Sequence, residues 1–165
     1  MVNAAQIARG DASGAPRLHD SPIEGVTPIA WTKFVRTLST QPLNAIAVSG
    51  ALGSYEMRPR RLADLGLMTG VRRVERGGVR VWRGTFVLPL TEAAFLRDKD
   101  VQYDVLVRSV LDHLSIAEAR PDGVTLSGAL ALLHRAGPEV LRTWGVAAPQ
   151  FDSTARVFER ANGIF

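Results

Sequence analysis

The sequence predicts an α+β fold that is mainly α-helical with one small β-hairpin, and three observations predict it. Several segments place apolar residues at helical spacing behind hydroxyl or proline starts. A Gly-Gly pair lies between two runs of alternating valine and arginine, the pattern of a hairpin with a tight turn. The stretch LSGALALLHR is apolar nearly all round, as a helix buried on every side would be. At 165 residues, with 46% hydrophobic and 22% charged residues, the chain suits one globular domain and excludes a fibrous or wholly disordered class.

The elements follow in order. Residues 1–26 mix Ala, Gly, Ser and Pro with scattered charge and have no periodicity, so they are expected to form a flexible tail or loose extension ahead of a domain at 27–165. Thr27 and Pro28 start a helix whose apolar face is Ile29, Trp31, Phe34, Val35 and Leu38, running to about Thr40. After Pro42, residues 43–53 form a packed connecting loop. Pro59 opens a short helix with Leu62 and Leu65, ended by Gly66. VRRVER and VRVWRGTFV flank Gly77 and Gly78 as the hairpin. Thr91 and Glu92 begin more helix. A long helix at about 100–118 has Val101, Val105, Leu106, Val110, Leu111 and Leu114 on one face. LSGALALLHR is the central helix, its small residues Ser127, Gly128, Ala129 and Ala131 letting neighbours approach. Beyond the break at Gly137 and Pro138 come a short helix with Val140, Leu141 and Trp144, the Pro149 region, and a last helix from Ser153 to about Ala161. Leu106, Val110, Leu114, Leu126, Leu130 and Leu133 are expected to share one core with Trp31 and Phe34.

Composition restricts the chemistry. With no cysteine, disulfides, thiolate metal sites and cysteine nucleophiles are excluded. No apolar run reaches the roughly 18 residues of a membrane span. The first twenty residues lack an apolar signal-peptide core, so synthesis and retention in the cytoplasm are expected. The net charge is +4, and eighteen of the twenty basic residues are arginine, a balance that suits a polyanionic partner or simply a well-solvated surface. His19, His113 and His134 are too scattered in sequence to propose a metal site, and neither a GxSxG elbow nor a P-loop occurs, so no cofactor is expected.

The stretch GALGSYEMRPRRLADLG, from Gly50 to Gly66, concentrates the side chains able to do chemistry. Glu56 follows Tyr55 in a glycine-rich turn beside Leu52 and Met57. Desolvation there would make its carboxyl keep a proton, as a general acid needs, while Arg58 acts in the opposite sense. The alternative is a glutamate bound to a backbone amide or an arginine. Eight arginines fall between Arg58 and Arg83, against Asp64 and Glu75. On a hairpin, Arg73 with Arg80 or Arg83 could form a cationic stripe suited to phosphate or carboxylate groups on a polymer, or these could be ordinary solvent-facing residues.

A helix followed by this phrase, a small hairpin and helices ending on an apolar core resembles the lysozyme-like and lytic transglycosylase superfamily. The residues carrying the resemblance are Gly50, Ala51, Leu52, Gly53, Tyr55, Met57, Pro59, Leu62 and Gly66. It implies a lysozyme-like domain whose groove contacts peptidoglycan glycan strands, and the candidate binding residues are Tyr55 and Gln41 beside the phrase together with Arg58, Arg73 and Arg80 from the arginine pattern. The glutamine usual after the tyrosine is Glu56, and the superfamily's acid glutamate, expected at the end of the preceding helix, is replaced by Thr40, Gln41 and Pro42. Gln41 can donate a hydrogen bond but not a proton. Either Glu56 acts as the catalytic acid, or the groove binds glycan without cutting it, and the second is the expectation carried forward. The resemblance and the missing leader together imply a component of a phage or phage-derived particle, touching other subunits of that assembly. An arginine-rich adaptor for nucleic acid or a protein, built on residues 58–83, is the third reading.

Overall fold

The computed structural model describes residues 18–142 and 152–165. Along the chain lie α1 (Pro28–Leu38), α2 (Pro59–Asp64), β1 (Met68–Arg76), β2 (Val79–Phe86), α3 (Glu92–Phe95), α4 (Lys99–Glu118), α5 (Leu126–Ala136), α6 (Glu139–Arg142) and α7 (Asp152–Ala161). The architecture is α+β and mainly helical, with β1 and β2 forming a two-stranded antiparallel sheet. Trp144 and the Pro149 region fall outside the described residues.

Capping residues set the helix starts. The Thr27 hydroxyl accepts the Ala30 N–H ahead of Pro28, Asp98 accepts the amides of Asp100 and Val101, and Thr125 accepts that of Gly128. Trp31, Phe34, Val35 and Leu38 face inward from α1, but Ile29 is 69% exposed. Two residues from Trp31, it sits about 200° around the helix, and Thr32 is buried instead. Likewise Leu111, 43% exposed, turns away from the face of Val105, Leu106 and Val110, which is completed by the polar Gln102, Ser109 and His113.

Central helix α5 is buried on nearly every side and packs between α4 and α7. A Cβ on Gly128 would overlap Asn162 Oδ1 and come 2.9 Å from the Phe158 ring, so the missing side chain is what lets α7 approach. Ser127 Oγ donates to the Ala161 carbonyl at 2.7 Å, satisfying the buried hydroxyl. The main core joins Trp31, Phe34, Leu38, Leu106, Val110, Leu130 and Leu133, with Leu114 and Leu126 partly buried against it. A second cluster of Leu52, Met57, Leu62, Met68, Phe86, Phe95 and Val105 underlies the hairpin, and Tyr55 packs on both.

Residues 18–26, expected to belong to a loose extension, are instead fastened to the domain. Ile23 enters the main core, the His19 ring stacks on Tyr103 at 4.2 Å, and the His19 N–H donates to the buried Thr32 hydroxyl. Their polar, proline-broken sequence hides this, because one apolar anchor and two specific contacts have no periodicity to read.

The hairpin turn uses Gly77 and Gly78, both at positive φ (58° and 78°), as a two-residue turn matching the strand twist requires. Its register pairs Arg73 with Trp82 and Glu75 with Arg80, and pairs Arg72 with Arg83, Val74 with Val81 and Arg76 with Val79. Since side chains alternate between faces, Arg73 and Arg80 share one face, whereas Arg83 lies on the other with Arg72 and Arg76. Of the two stripes expected, Arg73 with Arg80 therefore shares a face, whereas Arg73 with Arg83 does not.

Candidate functional site

The GALGSYE phrase folds as a tight reversal. Leu52 and Met57 exchange both backbone hydrogen bonds at 2.9 Å, enclosing Gly53, Ser54, Tyr55 and Glu56. Glu56 closes the reversal at φ +50°, the one non-glycine residue at positive φ among those described. Buried Gln102 of α4 staples the loop in place: its Oε1 accepts the Ser54 N–H, and its Nε2 donates to the carbonyls of Leu43 and Phe95. A Cβ on Gly53 would collide with that Gln102 amide.

So held, the Glu56 carboxylate meets the end of α1 and the end of α5. The Thr40 hydroxyl donates to Glu56 Oε2 at 2.6 Å, Arg135 Nη2 donates to the Thr40 hydroxyl at 2.7 Å, and Arg135 Nη1 pairs with Glu56 Oε2, closing a triangle. Burial alone would raise the carboxyl's pKa, but the Thr40 hydrogen bond and the Arg135 guanidinium outweigh it and hold Glu56 below the ordinary glutamate value. The proton retention expected from desolvation is thus overridden, and the arginine responsible is Arg135 of α5 and not the sequence neighbour Arg58.

The residue before Arg135 completes a second arrangement. His134 Nε2 lies 2.6 Å from the Tyr55 carbonyl; because a carbonyl only accepts, Nε2 carries the proton and the buried Nδ1 is an acceptor with no hydrogen-bond partner among the described residues. His134 and His113, distant in sequence, line one cavity of about 510 Å³ with Arg58, Arg60, Arg61, Asp64 and Asp112, over a floor that includes Ile116 and Leu133. Burial first, then neighbouring arginines, depress both imidazoles to about 4, so they are neutral at physiological pH. Arg61 is committed to structure, donating to the Ser109 hydroxyl and carbonyl and pairing with Asp112 at 2.8 Å.

Of the residues singled out in the sequence, Tyr55, Glu56 and Arg58 come together at this site. Tyr55 is half-buried between the two cores, and burial, reinforced by Tyr103, pushes its phenol up to about 12, so it remains a neutral hydrogen-bonding group. Gln41 is exposed beside Thr40; the amides of both donate to the Ser54 carbonyl. Arg58 is exposed and lines the cavity. Arg73 and Arg80 lie on the hairpin instead, Arg73 with its guanidinium 5.1 Å from the Trp82 ring centre and Arg80 opposite Glu75. Thr40, Arg135, His134 and Gln102 had no assigned role in the sequence. The available signal was the His-Arg pair ending an otherwise apolar helix, where a charge must find a partner.

Comparison of the chain with models of known families, with curated proteins and with solved structures finds no match. Among the described residues, no helix is long and apolar enough to cross a membrane.

Proposed function

We propose that this chain is a lysozyme-like domain that holds peptidoglycan glycan without cleaving it. The observation carrying this reading is the state of Glu56, which is ion-paired with Arg135, hydrogen-bonded by Thr40 and held ionised. Glycoside cleavage needs a protonated carboxyl group at the leaving oxygen. The position where the resemblance calls for that acid offers a hydroxyl and an amide, from Thr40 and Gln41. For binding, the exposed Gln41 and Arg58 provide hydrogen-bond donors, and the neighbouring cavity joins polar groups to the apolar surface of Ile116 and Leu133. Sugars are recognised by that combination.

The test combines co-sedimentation with purified sacculi and measurement of soluble muropeptides, for wild type and Glu56→Gln. The reading expects sedimentation without release for both. Absence of sedimentation overturns it.

One observation favours a second reading, an active glycosidase using Glu56: the carboxylate reaches the end of α1, 2.6 Å from Thr40 Oγ1, where the superfamily's acid is expected. Substrate would then have to displace Arg135 so that the carboxyl can take up a proton. Muropeptide release by the wild type, reduced about a hundred- to ten-thousand-fold in Glu56→Gln, would establish this reading and end the first.

A further inference from the structure

The β1–β2 ribbon carries more positive charge than the fold uses. Residues 72–83 contain five arginines and one glutamate, and every residue from Glu75 to Arg80 is exposed. Among the described residues, Arg72, Arg73, Arg76 and Arg80 form no ion pair, and Arg83 approaches Glu92 only at 3.9 Å. Arg72 and Arg83 stand directly opposite each other across the strands, a like-charge pair that the Glu92 carboxylate, beside Arg83 only, offsets in part.

The distribution of these charges selects the partner. Arg73 and Arg80 project from one face and Arg72, Arg76 and Arg83 from the other. A flat anionic surface could meet only one of those sets. A double-helical groove meets both, since the B-DNA major groove is about 12 Å wide, admits a two-stranded ribbon and has phosphates along each wall. The Trp82 ring, the obvious stacking platform for an unpaired base, is already approached by Arg60 at 4.8 Å and Arg73 at 5.1 Å. That occupancy favours a duplex over a single strand.

We propose that the β1–β2 ribbon is a binding arm for double-helical nucleic acid, entering a groove with its arginines on phosphates to both sides. This does not rest on the glycan reading.

The experiment uses the full chain and a fluorescent mixed-sequence DNA duplex about two helical turns long, with anisotropy followed across a salt series. Binding should weaken linearly in log–log form, with a slope of about 0.9 per phosphate neutralised. The pairs Arg72→Ser/Arg76→Ser and Arg73→Ser/Arg80→Ser should each weaken binding at least about tenfold and reduce the slope by about 2. All four side chains are exposed, and an unchanged circular dichroism spectrum confirms that each variant folds. Three outcomes overturn the proposal: no binding at low salt, loss confined to one pair, or equal or tighter binding to a single strand of the same length or to phosphatidylglycerol vesicles.

Discussion

Glu56 and Arg135, 79 positions apart in the chain, meet as an ion pair with side chains 20% and 10% exposed. Through Thr40 the pair joins three places: the end of α1, the phrase loop and the last turn of α5. Each charge is partly withdrawn from water and compensated chiefly by the other, so loss of either leaves an uncompensated group.

This makes the pair measurable by a double-mutant cycle. Glu56→Gln and Arg135→Met should each destabilise by about 2 kcal/mol or more, below the roughly 3–5 kcal/mol of fully buried pairs because both side chains retain some solvent. The double variant should lose less than the two together, with a coupling of about 0.5–3 kcal/mol from urea unfolding. Strict additivity would mean that the contact contributes nothing to the fold.

Gly50 and Gly66 separate backbone strain from crowding. Both have positive φ, +90° and +71°. Among the described residues, a Cβ at Gly66 meets nothing within 4 Å, whereas one at Gly50 would overlap the Trp82 carbonyl oxygen on β2. Gly66→Ala should cost about 1–2 kcal/mol for the left-handed backbone. Gly50→Ala should cost at least about 1 kcal/mol more, because the strand must move aside. Equal unfolding free energies would contradict the close approach of the phrase loop to β2.

Leu130 tests the core. It is buried in the central helix among Trp31, Phe34, Leu106 and Val110, and Leu130→Ala should cost about 2–5 kcal/mol by chemical denaturation. A loss under about half a kcal/mol, typical of a surface position, would be incompatible with that placement.

These contrasts explain what was legible in the chain. Thr27-Pro28, Gly77-Gly78 and Gly137 act through local backbone chemistry, which neighbouring residues encode, so a helix start, the turn and a stop could be read. The apolar run of α5 likewise announced its burial. The triangle of Thr40, Glu56 and Arg135 depends on three segments converging, and no spacing encodes that convergence. The same holds for Gln102, whose amide reaches Leu43 and Ser54 from α4, and for His113 and His134 on one cavity wall. Side chains that satisfy buried polar groups at long range have no periodicity of their own.

The two neutral histidines predict an acid-sensitive fold. His113 and His134 are depressed from the ordinary 6.5 to about 4, in each case first by burial, with Arg61 adding to the effect at His113 and Arg135 at His134. Unfolded imidazoles take up protons near 6.5 while the folded ones resist until about 4. The unfolded state therefore binds more protons between those values, and stability falls as pH drops through that window, levelling below it. For His134 the limiting loss is roughly 3 kcal/mol, from about 1.4 kcal/mol per pH unit of depression. Urea midpoints measured at about pH 7 and about pH 5 should differ accordingly, and His134→Gln should flatten the difference. An unchanged pH slope in that variant would show that His134 is not the group resisting protonation.

On the proposed reading, Gln41 lies where a catalytic acid would be expected, and a carboxyl can be introduced there. A general acid must retain its proton near neutral pH, which for a carboxyl requires withdrawal from water or a nearby negative charge. Gln41 is exposed, so Gln41→Glu should place an ordinary, ionised carboxylate at the rim and release no muropeptides from sacculi. The desolvated position at the end of α1 is already filled by Glu56, whose ionisation is maintained by Arg135 and Thr40. Arg135→Met should therefore raise the Glu56 pKa, read by carbon-13 NMR of the labelled carboxyl, while Gln41→Glu leaves it nearly unchanged. Lysis by Gln41→Glu would show that exposure at position 41 is lost when glycan binds. An unmoved Glu56 titration in Arg135→Met would remove the guanidinium as the cause of its ionised state.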